Sequence, residues 1–93
     1  MALLSNKKID SALKHLDGWI FSNNKIYKDF SFDTYLNGIE FVNSLATIAE
    51  EKNHHPDLNV GWCRVEVIFT SHDQGGVTDQ CIEMAKVVES ILK

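Results

Sequence analysis

The stretch from Arg64 to Thr70 alternates strictly, with Val65, Val67 and Phe69 on one side and Arg64, Glu66, Ile68 and Thr70 on the other. Period-two patterning specifies a strand that buries one face against a covering layer. The remaining apolar periods are largely helical, so helices supply that layer. Ile9, Ala12, Leu13 and Leu16 recur at helical spacing, with Ser5 or Asn6 as N-cap and Asp17-Gly18 as the stop. Asp33 caps a long helix running to about Glu51, whose buried stripe uses Leu36, Ile39, Val42, Leu45 or Ala46, and Ala49. After the Gly75-Gly76 break, Thr78 opens a last helix with Ile82, Ala85, Val88 and Leu92 on one face. Trp19 to Ser22 and Lys25 to Phe30 are short β-prone runs around Asn23-Asn24, a pair that suits a two-residue hairpin turn. Asn53 to Gly61 reads as loop or irregular strand. The expected fold class is α+β, in the order α-β-β-α-β-β-α. The sheet is mostly antiparallel, four-stranded where Asn53 to Gly61 counts as a strand and three-stranded where it is a loop, with three helices packed on one face and residues 1–93 forming a single domain.

Composition removes several classes of function. Hydrophobic residues at 44% and charged residues at 24% exclude a disordered or low-complexity chain. The net charge of -4, with lysines and arginines scattered, argues against direct contact with nucleic acid. No apolar run approaches the ~18 residues of a membrane span, and the apolar start before Ser5 is too short for a secretory core. Cys63 and Cys81 lack a CxxC partner and read as free thiols in a reducing compartment, which places the chain in the cytoplasm. A domain of this size has a limited core, so self-association is expected.

Chemistry-bearing residues gather in one region. His54 and His55 precede Pro56, which forces extended backbone and sends the two rings to opposite sides, where they can line two walls of one cleft. His72 follows the best strand and precedes the glycine break. Imidazole titrates near pH ~6.5, which suits proton transfer at neutral pH. Ordinary loop histidines are the competing reading. A metal site with Asp57, Asp73 or Glu50 has suitable ligand types but poor geometry, because adjacent histidines do not converge on one ion. No GxSxG elbow supports a serine hydrolase.

The run Glu51-Lys52-Asn53-His54-His55-Pro56-Asp57, then Asn59, Val65-Glu66-Val67, Thr70-Ser71-His72-Asp73 and Gly75-Gly76-Val77-Thr78, resembles the pterin-4a-carbinolamine dehydratases. Leu58-Asn59-Val60-Gly61-Trp62, Gly18-Trp19 and the run through Tyr27, Phe30 and Phe32 extend the resemblance over nearly the whole chain. It implies dehydration of 4a-hydroxytetrahydropterin to quinonoid dihydropterin, in tetrahydrobiopterin recycling, by an oligomer that is a dimer or a tetramer. It assigns the acid/base work to His54, His55 and His72, and the pterin pocket to Asn53, Pro56, Thr70, Ser71 and Asp73. The chemistry needs no metal and no other cofactor. Asp73 and Glu50 are candidates to orient an imidazole, and Trp19 is either a pocket wall or a core residue.

The resemblance also implies an acid at position 81, where this chain has Cys81, so a Thr78-led capping box is lost. If that acid assists the site, the implied activity is lower. Cys63 reads as packing. A second reading implied by the family is a non-catalytic dimerisation or binding module, a cofactor for a homeodomain transcription factor, which would add a protein partner and a nuclear location. The expected partners are otherwise a pterin and further copies of the chain.

Overall fold

Two adjacent asparagines set the first hairpin. Asn23 and Asn24 sit at φ 53° and 64°, the left-handed pair that a two-residue turn matched to sheet twist requires. The structure is a computed structural model that describes residues 3–92; of the apolar start, Leu3 and Leu4 lie within it. The elements are α1 (Asn6–Leu13), β1 (Ile20–Ser22), β2 (Lys25–Ser31), α2 (Tyr35–Lys52), β3 (Asp57–Val60), β4 (Arg64–Phe69) and α3 (Asp79–Ile91). The strands form one antiparallel sheet in the order β1-β2-β4-β3. The α+β class and element order are those expected from the sequence.

β4 lies between β2 and β3, and its alternation decides the core. Val65, Val67 and Phe69 are fully buried and meet the helices. Asp57 to Val60 forms a regular strand rather than a loop, paired with β4 from Asp57↔Ile68 to Val60↔Val65. Leu58 and Val60 do alternate with Asp57 and Asn59, but a run of four residues is too short to stand out in a periodicity search.

The helix boundaries shift from those expected, each for a local reason. α1 ends at Leu13, and i→i−3 bonds from His15 and Leu16 tighten the chain before Gly18 turns it at φ 85°. Leu16 stays buried beyond the helix. Thr34, not Asp33, caps α2: its Oγ1 accepts the Asn37 N–H at 3.0 Å. The buried stripe of α2 is Gly38, Phe41, Leu45 and Ala49, while Leu36 is 67% exposed. Phe41 takes the inward position because its ring packs on Phe30 and Phe32, with centroids 5.4 and 5.3 Å away. At Gly38 a Cβ would already touch Phe32 and Val65, so only a small residue fits there.

In α3, Cys81 and Met84 join Ile82, Ala85 and Val88 inside, and Leu92 is exposed instead. Trp19 is a core residue: its ring packs on Phe30 and Phe69, and its Nε1 donates to Glu89 Oε2 at 3.1 Å. Lys28 Nζ reaches the same carboxylate at 3.0 Å and the Asp17 carbonyl at 2.7 Å, tying β2, α3 and the turn between α1 and β1 together. Cys63 is half-buried beside Asp33, and both cysteines are free thiols. Among the described residues no helix is long and apolar enough to cross a membrane.

Candidate active site

The site begins where α2 stops. Asn53 adopts the left-handed conformation (φ 51°, ψ 40°), which asparagine tolerates better than most residues. Its N–H returns to the carbonyls of Ala49 and Glu50, and the His54 N–H returns to Ala49. This abrupt stop, followed by Pro56, turns the two imidazoles apart. His54 points inward, its ring stacked on Phe69 at 6.0 Å and 15°, with Nε2 3.3 Å from Cys81 Sγ. His55 points outward and back along the helix, its Nε2 2.8 Å from Glu50 Oε2.

His72 arrives from β4. The Asp57↔Ile68 register carries Asp57 to the end of β4, from which the chain continues through Thr70 and Ser71. His72 Nε2 lies 3.5 Å from Asp57 Oδ2, an ion-pair distance. The loop beyond is closed by the Ser71 N–H on the Gly76 carbonyl at 2.7 Å, with the Gln74 and Gly75 N–H groups on the Ser71 carbonyl. Gly75 takes φ 76° within it, a value that costs glycine nothing. The N-terminal segment braces this loop through the Leu4 N–H on the Val77 carbonyl.

The structure brings His54, His55 and His72 onto one cleft of ≈ 240 Å³, together with Asn53, Thr70, Ser71 and Asp73. Pro56 does not line it and acts through the backbone. Two of the expected pocket residues spend their hydroxyls elsewhere. Thr70 Oγ1 donates to the Asn24 carbonyl at 2.8 Å, and Ser71 Oγ is buried against Thr78 Oγ1 at 2.8 Å and Cys81 Sγ at 3.5 Å. Thr78 therefore stands at the N-cap position of α3 without making a side-chain cap bond. A larger depression of ≈ 400 Å³ is lined by His15, Leu16, Asp17, Lys86 and Glu89, but it holds a single imidazole, so chemistry rather than size selects the smaller cleft.

Of the two candidate orienting acids, Glu50 does hold an imidazole, whereas Asp73 makes no hydrogen bond to one and acts on His54 only through its charge. Sequence reasoning missed Asp57 as the partner of His72, and missed Gln80, whose Nε2 donates to the Lys52 carbonyl and clamps α3 to the end of α2. Reading Asp57 to Val60 as a strand antiparallel to β4 exposes the first of these. The histidine Nε2 atoms face three different partners, and among the described residues no group of three His, Cys, Asp or Glu side chains is arranged to hold a metal ion.

Burial holds the His54 pKa below the usual imidazole value; the Asp73 charge opposes this, and His55 and His72 add to it. As pH falls through ~6.5 the unfolded chain therefore binds this proton before the folded one does. The stability that His54 contributes is present above that pH and is lost as pH falls toward the lowered folded value. Urea melts at stepped pH are expected to show stability falling from about pH 7 to 5, with a shallower slope in His54→Gln. Equal slopes in the two proteins would show that His54 is not the group responsible.

The family model for pterin 4 alpha carbinolamine dehydratase matches residues 2–91. The chain belongs to that family. A Mycolicibacterium smegmatis relative bearing the family's name is 39% identical over 92 residues, covering 99% of this chain and 98% of its own. A Metallosphaera sedula relative of the same name is 41% identical over 93 residues, covering 100% of this chain and 97% of its own. Among solved structures, a transcriptional coactivator/pterin dehydratase from Brucella melitensis superposes with a TM-score of 0.92 at 30% identity, covering 98% of this chain and 99% of that one. A pterin dehydratase-like RuBisCO assembly factor of the alpha-carboxysome shares the fold, with a TM-score of 0.65 at 22% identity over 78% of this chain and 84% of that one.

Proposed function

We propose that this member of the pterin-4a-carbinolamine dehydratase family converts a 4a-hydroxytetrahydropterin to quinonoid dihydropterin and water, the step that returns the pterin to the tetrahydrobiopterin cycle. The observation that carries the reading is the meeting of three imidazoles on one cleft, two of them paired with carboxylates. In this reaction the C4a–O bond breaks. The departing hydroxyl takes a proton and leaves as water, while a ring nitrogen gives up a proton and its bonding electrons form the new C=N bond. One protein acid and one protein base suffice. His55 and His72 fit those roles because both stand open at the cleft, each with a carboxylate near Nε2, Glu50 at 2.8 Å and Asp57 at 3.5 Å, to orient the ring. His54, buried except where it lines the cleft, contributes as a neutral ring. The cytoplasm is the compartment that suits the reading. The test is dehydration of a 4a-hydroxypterin by purified protein. Acceleration over the uncatalysed rate supports the proposal, and a rate equal to buffer rejects it.

A second reading, a binding module without turnover, draws on a different surface. Trp62 is 81% exposed, and Leu36 and Tyr35 are also open to solvent. The Phe32 N–H bonds the Cys63 carbonyl, placing the β3–β4 turn beside the start of α2 and these side chains at one end of the molecule. An apolar group of this kind suits a protein interface. We take the first occupant to be another copy of the chain. Sedimentation at micromolar concentration is expected to give a dimer or tetramer, and Leu36→Asp with Trp62→Ala is expected to shift it to monomer. A parent protein that sediments as a monomer would overturn this. Oligomers without turnover would favour the binding module and a separate protein partner.

A further inference from the structure

Cys81 is sealed in the core, yet three polar side-chain atoms meet around its sulfur. Its Sγ lies 3.3 Å from His54 Nε2, 3.5 Å from Ser71 Oγ and 3.8 Å from Thr78 Oγ1, and the two hydroxyls are 2.8 Å apart. Ser71 is 5% exposed, and Thr78 and Cys81 are 0% exposed. The protons of this cluster can be counted. One hydroxyl donates to the other. The second hydroxyl proton has the sulfur as its remaining partner, so Sγ accepts it. The thiol's own proton has a free hydroxyl lone pair at 3.5 Å or more and His54 Nε2 at 3.3 Å within reach, and it goes to Nε2, the nearer and by far the more basic acceptor. The other ring nitrogen, Nδ1, has no protein partner. Every fully buried side-chain nitrogen and oxygen among the described residues does have one, so Nδ1 is the nitrogen open to the cleft that His54 lines.

We propose that Cys81 is a positioning residue: its thiol donates to Nε2 of His54, fixes the neutral ring with its proton on Nδ1, and so presents an N–H donor to the cleft. The ring is clamped from two directions, by Phe69 stacked on its face and by the thiol at its edge. The ionisable groups around His54 are Asp73, His55 and His72, from the loop after β4 and from its own segment, together with the thiol on α3. None of the carboxylates bonds Nε2. A carboxylate in place of the thiol could only accept, which would move the ring proton to Nε2 and favour the imidazolium. The thiol, a donor, does the reverse. A neutral imidazole N–H aimed at substrate oxygen can polarise that oxygen without titrating near neutrality. This last consequence rests on the dehydratase reading; the tautomer does not.

The experiment is long-range proton–nitrogen NMR on protein labelled in its histidine rings, comparing the parent with Cys81→Ser, Cys81→Ala and Cys81→Asp. The parent is expected to show His54 neutral at pH 7 with the proton on Nδ1. Cys81→Ser, which keeps a donor, retains that pattern, and Cys81→Ala loses it. Cys81→Asp moves the proton to Nε2 and raises the His54 titration midpoint by about one unit or more. If the aspartate variant fails to fold, the serine and alanine pair carries the test. A parent ring protonated on Nε2, or an alanine variant with the tautomer unmoved, overturns the proposal. If the tautomer behaves as described and the parent still gives no dehydration, the positioning stands and the dehydratase reading is what fails.

Discussion

Alanine at His72 or at His55 is expected to lower kcat/KM for 4a-hydroxypterin dehydration by ~10²-fold or more, equivalent to ~2.7 kcal/mol of barrier. The fold is expected to survive both changes. The side chains of His55 and His72 are 54% and 70% exposed, and their partners Glu50 and Asp57 are as open or nearly so. Exposed pairs of this kind contribute little to stability, and substitutions there usually fall within ~0.5 kcal/mol. Turnover and melting temperature therefore separate the two accounts of these residues. Acid/base groups lose rate at constant stability, whereas structural residues lose stability at constant rate per folded molecule. His15→Ala, outside the cleft, controls for nonspecific loss and is expected to leave kcat/KM nearly unchanged. Full activity in folded His55→Ala and His72→Ala proteins would remove both residues from the mechanism.

The parts of this fold that were legible in the sequence are those where one local force dominates. The alternation of β4 survives because its inward side chains are all buried, so a register slip of one residue would expose them together. The Asn23-Asn24 turn was legible for a similar reason, since few residues tolerate two successive left-handed positions. The buried face of α2 was legible only in its second half, at Leu45 and Ala49. Leu36, Ile39 and Val42 make a second apolar stripe beside the true one, and packing of Phe41 on Phe30 and Phe32 decides between them. That contest is tertiary and leaves no periodic signal. At the site, the imidazoles were identifiable from their neighbours in sequence, but their partners were not. Glu50 is within one helical turn and a bend of His55, and it was named. Asp57 meets His72 only through strand pairing, and Cys81 meets His54 across 27 positions of chain.

Phe69→Ala is the substitution expected to cost the most stability, ~3–5 kcal/mol. The ring is 0% exposed and packs between Trp19 and His54, with centroids 6.1 and 6.0 Å away. Removing it opens a cavity under the end of β4, where pairing with β2 at Ile26 and with β3 up to Ile68 keeps the strand from shifting to fill the space. A chain of this length has roughly 5–14 kcal/mol to lose, so the variant gives up a large share of its margin. At ~4–8 °C per kcal/mol for a domain of this size, the melting temperature is expected to fall by more than ~10 °C. Calorimetry and urea titration measure both, and a loss below ~0.5 kcal/mol would mean that Phe69 is not a core anchor. Phe69→Leu adds a sharper comparison. Leucine keeps most of the apolar volume and is expected to cost less than ~1.5 kcal/mol, but it offers His54 no flat face. If the stacked ring helps to hold the imidazole at the cleft, the leucine variant stays folded near the parent's stability while its His54 resonances broaden or shift and turnover falls. The same strand that buries Phe69 runs on through Thr70 and Ser71 to His72, so rigidity in the core of β4 is transmitted directly to the site.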